Sequence, residues 1–150
     1  MEFYSLQEVM QQGIEFAGEV CFSGEFGDQV CTKEIECGGE PITGLVYERY
    51  PSGKLNYYAF YCDGIPNGKQ VRFYESGNVK SVCIMDTGTI DGEFTEWYED
   101  GKVKREEYCK YGLVLREKVF DENGNIISEK KELKDYEKEL YKKYKEHYGE

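Results

Sequence analysis

Residues 44–67, 68–91 and 92–115 align without a gap as GLVYERYPSGKLNYYAFYCDGIPN, GKQVRFYESGNVKSVCIMDTGTID and GEFTEWYEDGKVKREEYCKYGLVL. Gly44, Gly68 and Gly92 recur at a period of 24, as do Gly53, Gly77 and Gly101, and Gly64, Gly88 and Gly112. Tyr50, Tyr74 and Tyr98 keep the same rhythm, and so do Leu55, Val79 and Val103. A fourth segment, REKVFDENGNIISE from Arg116, fits less well. Its turn glycine, Gly124, stands one residue early, and no second half follows.

Each unit has a physical reading. A run rich in Tyr, Phe, Val and Trp meets a short turn: Tyr50-Pro-Ser-Gly53, Tyr74-Glu-Ser-Gly77 or Tyr98-Glu-Asp-Gly101. Glycine there supplies the positive φ that closes a short hairpin. A second β-prone run follows, then a second turn such as Cys62-Asp63-Gly64. Two strands and two turns within 24 residues leave no room for a helix. The expected fold is therefore mainly β, an elongated, twisted antiparallel meander of 24-residue hairpin repeats over residues 44–127. Such an array contacts mostly its neighbours and needs its ends closed.

The flanks read as those closures. Ser5-Leu6-Gln7-Glu8 has capping-box spacing and predicts a short N-terminal helix through Leu6, Val9 and Met10, stopped by Gly13. Short strands are expected over residues 19–25 and 30–36, around Gly24-Glu-Phe-Gly27 and Gly38-Gly39. Residues 1–43 thus form an acidic cap, and Cys37-Gly38-Gly39 hints at a degenerate repeat. Residues 128–150 predict an amphipathic capping helix, with Leu133, Tyr136, Leu140 and Tyr144 along one stripe and Lys and Glu opposite.

The segments YPSGKL, YESGNV and YEDGKV, each followed eleven residues beyond its glycine by Gly64, Gly88 or Gly112, resemble the bacterial variant of the MORN repeat. That resemblance implies a meander of hairpins. It also implies a functional direction, because bacterial members carry antitoxin labels and eukaryotic relatives are linked to membrane lipids and scaffolding. The repeat defines no catalytic residue. The histidine-glycine element of the eukaryotic type is absent here, which weakens the lipid reading.

Composition narrows the choices. The 150 residues suit one domain. With 14 Tyr and 8 Phe against few aliphatics, the core should be aromatic. A formal net charge of −11 disfavours nucleic acid and anionic membranes as direct partners, since both are negative. The start, with no basic region and no long apolar run, predicts a cytoplasmic protein. Six cysteines lack any Cys-x-x-Cys pair and share the chain with one histidine, so they read as reduced, packed thiols rather than as a metal site. His147 is the fourth residue from the end, poorly placed to serve as a base. Paired carboxylates such as Glu106/Glu107 read as solvated strand positions, and no phosphate-binding loop is present. No enzyme, cofactor or metal is called for.

Charge is unevenly spread. Residues 1–43 carry nine acids (Glu2, Glu8, Glu15, Glu19, Glu25, Asp28, Glu34, Glu36, Glu40) against Lys33 alone, residues 44–127 have a net −3, and residues 128–150 are neutral. A concentrated negative field speeds association with a positive partner and orients it. It also keeps a β-rich protein soluble. The expected function is a non-enzymatic binding module of the antitoxin or immunity type that occludes a basic toxin or nuclease. Its partner-binding residues would be Glu19, Glu25, Asp28, Glu34 and Glu36, with Tyr47, Tyr57 and Trp97 on an open sheet face. The alternatives are a structural or scaffolding MORN-type protein and a phage-type inhibitor of a host defence nuclease. The open edges of a meander also leave room for a homodimer through an edge strand or the terminal helix.

Overall fold

In the computed structural model, residues 3–17, 20–23, 29–32 and 39–149 are described. Helix α1 (Leu6–Gln12) is followed by strands β1 (Ile14–Glu15), β2 (Cys21–Ser23) and β3 (Gln29–Cys31). The repeats supply β4 (Gly44–Arg49), β5 (Leu55–Cys62), β6 (Ile65–Phe73), β7 (Val79–Asp86), β8 (Thr89–Trp97), β9 (Val103–Lys110), β10 (Leu113–Phe120) and β11 (Ile126–Lys130). Helix α2 (Asp135–His147) ends the chain's regular structure. Among the described residues, nine strands form one sheet in the order β1-β4-β5-β6-β7-β8-β9-β10-β11, and β2 pairs with β3 separately. Every pairing in the large sheet is antiparallel except β1 on β4.

The turns explain the repeat. In each first turn the tyrosine N–H donates four residues on and the glycine N–H donates back: Tyr50 to the Lys54 carbonyl at 2.7 Å, Gly53 to Tyr50 at 2.8 Å. The same pair recurs at Tyr74/Gly77, Tyr98/Gly101 and Asp121/Gly124. The imperfect fourth unit therefore makes the same turn as the others. The second turns are two-residue hairpins with both central residues at positive φ: Asp63 (49°) and Gly64 (78°), Thr87 (48°) and Gly88 (86°), Tyr111 (53°) and Gly112 (76°). This primed geometry matches the twist of the flanking strands.

Units are tied to one another at both ends. Tyr50 Oη donates to the Phe73 carbonyl (2.6 Å), Tyr74 Oη to Trp97 (2.7 Å) and Tyr98 Oη to Phe120 (2.9 Å). At the opposite end the Gly64 N–H donates to Ile42 (2.8 Å) and the Gly88 N–H to Pro66 (2.9 Å). The Thr43 hydroxyl accepts from the Asp63 N–H, and the Asn67 amide oxygen accepts from the Thr87 N–H. Positions 42/66, 43/67, 63/87 and 64/88 are one period apart, so the repeat is a repeat of contacts. At the last turn no further unit follows. There Asp121 replaces the tyrosine, and its carboxylate accepts from the Asn123 and Asn125 N–H groups instead, both at 2.9 Å.

Strand register carries two rows of side chains across the sheet, one on each face. The first runs Tyr47, Tyr58, Val71, Val82 and continues as Thr95, Glu106, Lys118, Glu129. The second runs Val46, Ala59, Gln70, Cys83 and continues as Phe94, Glu107, Glu117, Lys130. Both rows are largely apolar and buried in their first half and charged in their second. Over the first half α1 lays Val9 onto the Tyr47 face, in a cluster with Leu45, Tyr58, Val71, Phe73 and Val82. Val30 and Ile42 cover Val46 on the other face. Helix α1 therefore packs on one face of β4–β7, while on the other face the N-terminal segment covers β4.

Helix α1 forms as its capping box predicts. The Ser5 hydroxyl accepts from the Glu8 N–H, the Glu8 carboxylate accepts from the Ser5 N–H, and Gly13 closes the end. A Cβ on Gly13 would lie 2.8 Å from the Leu45 carbonyl oxygen, so glycine lets the chain pass from helix to sheet there.

Of the short strands expected over residues 19–25 and 30–36, β2 and β3 are the described parts; residues 24–28 and 33–38 lie outside the described residues. The terminal helix begins at Asp135 and not at Ser128. Residues 126–130 pair with β10 and Glu137 caps the helix, accepting from the Lys134 N–H at 2.9 Å. Of its expected stripe, Leu133 and Leu140 are half-buried and Tyr144 lies with its ring centroid 6.2 Å from that of Tyr111, but Tyr136 is exposed; Tyr141 and Tyr148, at 5.5 and 5.3 Å, join the same ring cluster.

Candidate partner-binding surface

Of the expected partner-binding residues, Glu19, Glu25, Asp28, Glu34 and Glu36 lie outside the described residues. The three aromatics do not form an open platform. Tyr47 is 5% and Tyr57 8% exposed, and Trp97 is half-buried against the core cluster. Tyr47 lies on the face covered by α1. Tyr57 lies on the other face under the Arg72 guanidinium, 5.1 Å from its ring centre. Burial, then the hydrogen bond with Tyr61, pushes the Tyr57 phenol up, so the group stays neutral. Sequence alternation places such residues on a face but says nothing of what packs over it.

Two acids of the N-terminal segment have structural work. Glu8 caps α1, and Glu15 grips Arg49 through two bonds of 2.6 and 3.0 Å that tie β1 to β4. The Arg49 hydrogen bonds hold the Glu15 carboxyl below its ordinary value. Neither is available as a free charge for a partner in this arrangement.

The uncovered surface lies in the second half of the sheet, over β8–β11. On the Tyr47 face, Glu93, Tyr108 and Arg116 stand side by side, with the Arg116 guanidinium 4.9 Å from the Tyr108 ring centre, beside Glu106 and Lys118. These side chains line a groove of about 390 Å³. Acids and bases alternate along it, which suits a polar protein surface better than a strongly charged ligand.

On the opposite face a half-buried charge network replaces the hydrophobic row. Arg105 stands 3.6 Å from Glu96 and 3.4 Å from Glu107, and its guanidinium lies 5.2 Å from the Phe94 ring centre. Glu107 faces Glu117 directly across the strands. Burial, then the hydrogen bond with Glu117, pushes the Glu107 carboxyl above its ordinary value. Lys130 at the end of this row holds Glu137 of α2 at 2.8 Å.

Of the described cysteines, Cys31, Cys83 and Cys109 are buried and Cys62 is exposed. Burial raises the Cys83 thiol, and burial together with Glu107 pushes Cys109 up to about 11, which keeps both protonated at neutral pH. His147 is exposed in the last turn of α2, edge-on to Tyr148. Among the described residues no group of three His, Cys, Asp or Glu is placed to hold a metal ion, and no helix is long and apolar enough to cross a membrane.

One continuous sheet of hairpins, bonded turn to turn at both ends, defines a β-hairpin repeat protein. The MORN repeat variant model matches residues 42–63, 66–85, 90–110 and 113–134, more than half of the sequence, and the chain belongs to that family. It is also 31% identical over 125 residues to "Immunity protein YwqK" of Bacillus subtilis (strain 168), covering 83% of this chain and 80% of that protein. No solved structure matches the chain significantly. The first three matched units begin at Ile42, Pro66 and Ile90, two residues before the aligned glycines, and Ile42 and Pro66 are also the acceptors of the turn-to-turn bonds.

Proposed function

We propose that this protein is a non-enzymatic, cytoplasmic immunity-type protein that binds a basic protein toxin and occludes its working surface. The name of the B. subtilis relative supports the immunity class, and the nine acids against one base in residues 1–43 support the choice of a positive partner. A toxin that acts on nucleic acid needs a positive groove, and a concentrated negative segment competes for that groove by the same electrostatics. The sheet's role is to present this segment: α1, β1 and β3 anchor it on β4–β6, leaving charges that are not used in capping or in the Glu15–Arg49 pair for recognition.

Capture of a candidate toxin at rising salt tests the reading. Affinity should fall steeply as ionic strength rises, and affinity indifferent to salt would overturn electrostatic recognition. Reversing Glu34 and Glu36 to lysine should slow association about tenfold with a smaller effect on dissociation. An unchanged association rate removes both residues from the binding surface.

A further inference from the structure

Strands β2 and β3 pair beside the large sheet, and their register sets Cys21 directly opposite Cys31. From its other side β3 is held to the repeats. The Val30 N–H donates to the Gly64 carbonyl and the Ile42 N–H donates to the Val30 carbonyl, both at 2.8 Å, and the Gln29 amide nitrogen donates to the Asp63 carbonyl at 2.9 Å. Successive residues of a strand direct their backbone groups to opposite sides, so Val30 bonds toward residues 42 and 64 and Cys31 toward β2. Cys21 and Cys31 are therefore a hydrogen-bonded antiparallel pair, a position at which Cα atoms stand about 5.5 Å apart. Disulfides span Cα separations of about 4.4 to 6.8 Å. The described cysteines of the large sheet lie opposite other residue types: Cys62 faces Ile65, Cys83 faces Gln70 and Phe94, and Cys109 faces Gly92 and Val114.

We propose that Cys21 and Cys31 are a disulfide site, closed by a hydroperoxide and reopened by a thiol reductant. One cysteine thiolate attacks the peroxide, the O–O bond breaks, and a sulfenic acid and water form. The second thiolate attacks the sulfenic sulfur, the S–S bond forms, and the departing hydroxide takes up a proton as water. Two thiols and one hydrogen peroxide thus give one disulfide and two waters, with two electrons passing from sulfur to oxygen. Cys31 is fully buried, and β2 pairs with β3 alone among the described residues, so peeling of β2 is the local opening that admits the peroxide. A reducing compartment keeps the pair as thiols, and the bond records a departure from it. The closed ring, residues 21–31, contains Glu25 and Asp28 and is tied through Val30 to the Gly64 turn. Under the toxin-binding reading, oxidation fixes two of the recognition acids to the sheet. The bond itself does not rest on that reading.

Peroxide treatment of the full chain, then alkylation and tryptic digestion, tests the proposal. Lys33 is the first basic residue, so fragment 1–33 contains Cys21 and Cys31 and no other cysteine. At a peroxide dose that consumes the exposed Cys62 thiol, this fragment should lack two hydrogens and carry no alkyl group. After dithiothreitol it should carry two. Closure should be several-fold faster in the folded chain than in urea, because only the folded chain holds the register, and Cys37→Ser should leave both results unchanged. Two alkyl groups on the fragment after peroxide overturn the proposal, as does added oxygen in place of the lost hydrogens. A link to the Cys37 fragment, or closure equally fast in urea, overturns it too.

Discussion

Glu107 and Glu117 face one another across β9 and β10 in a half-buried row that on the first half of the sheet holds Val46 and Ala59. Burial and the shared hydrogen bond raise the Glu107 carboxyl, so the fold binds its proton more tightly than the unfolded chain does. Stability from this group is complete below the ordinary glutamate value and is lost as pH rises through the raised one. Glu117→Gln removes the opposing charge and keeps a hydrogen-bonding partner. It should stabilise the protein by a few tenths to about 1 kcal/mol at pH 7, with the gain vanishing below about pH 4. Thermal melts of both proteins across that range check this, and an equal gain at both ends would mean that charge is not the cause. The sequence showed these residues as two more acids in an acidic chain. Only register sets them opposite each other.

The hairpin unit is the element that makes the fold repeat, and its turn tyrosine is the link between units. Tyr74→Phe keeps the ring and removes the 2.7 Å bond to the Trp97 carbonyl. It should cost about 1 kcal/mol in urea unfolding. Tyr98→Phe should behave alike, because its bond to Phe120 is equivalent. No loss in either variant would assign the recurrence of these tyrosines to ring packing alone. The turns were legible in the sequence because a positive φ and a short loop leave few residue types to choose from. The terminal helix was legible in kind and largely in phase, but not in its start or in the part of Tyr141 and Tyr148, which pack on Tyr111, a hairpin residue with no local relation to α2.

At the scale of the molecule the sheet changes character along its length. Over β4–β7 one face is covered by Val9 of α1, and on the other face Val30 and Ile42 cover β4. Over β8–β11 both rows are largely charged, and one face holds an open groove. Local opening should follow this gradient. Hydrogen exchange should be about tenfold or more faster for the β10–β11 pair than for β5–β6, since each 1.4 kcal/mol of local stability is a factor of ten. Uniform protection would mean that the sheet opens as one unit.

The sequence by itself determined the period, the turns, the strand runs and the capped first helix, and its family resemblance held. All of these rest on interactions within a few residues or on a pattern recurring at fixed spacing. Only the tertiary structure decided that Tyr47 and Tyr57 are buried, that Glu8 and Glu15 serve the fold, and that β11 is the open edge. Alternation along a strand assigns each side chain to a face, but whether that face meets water or a distant segment is a property of long-range packing.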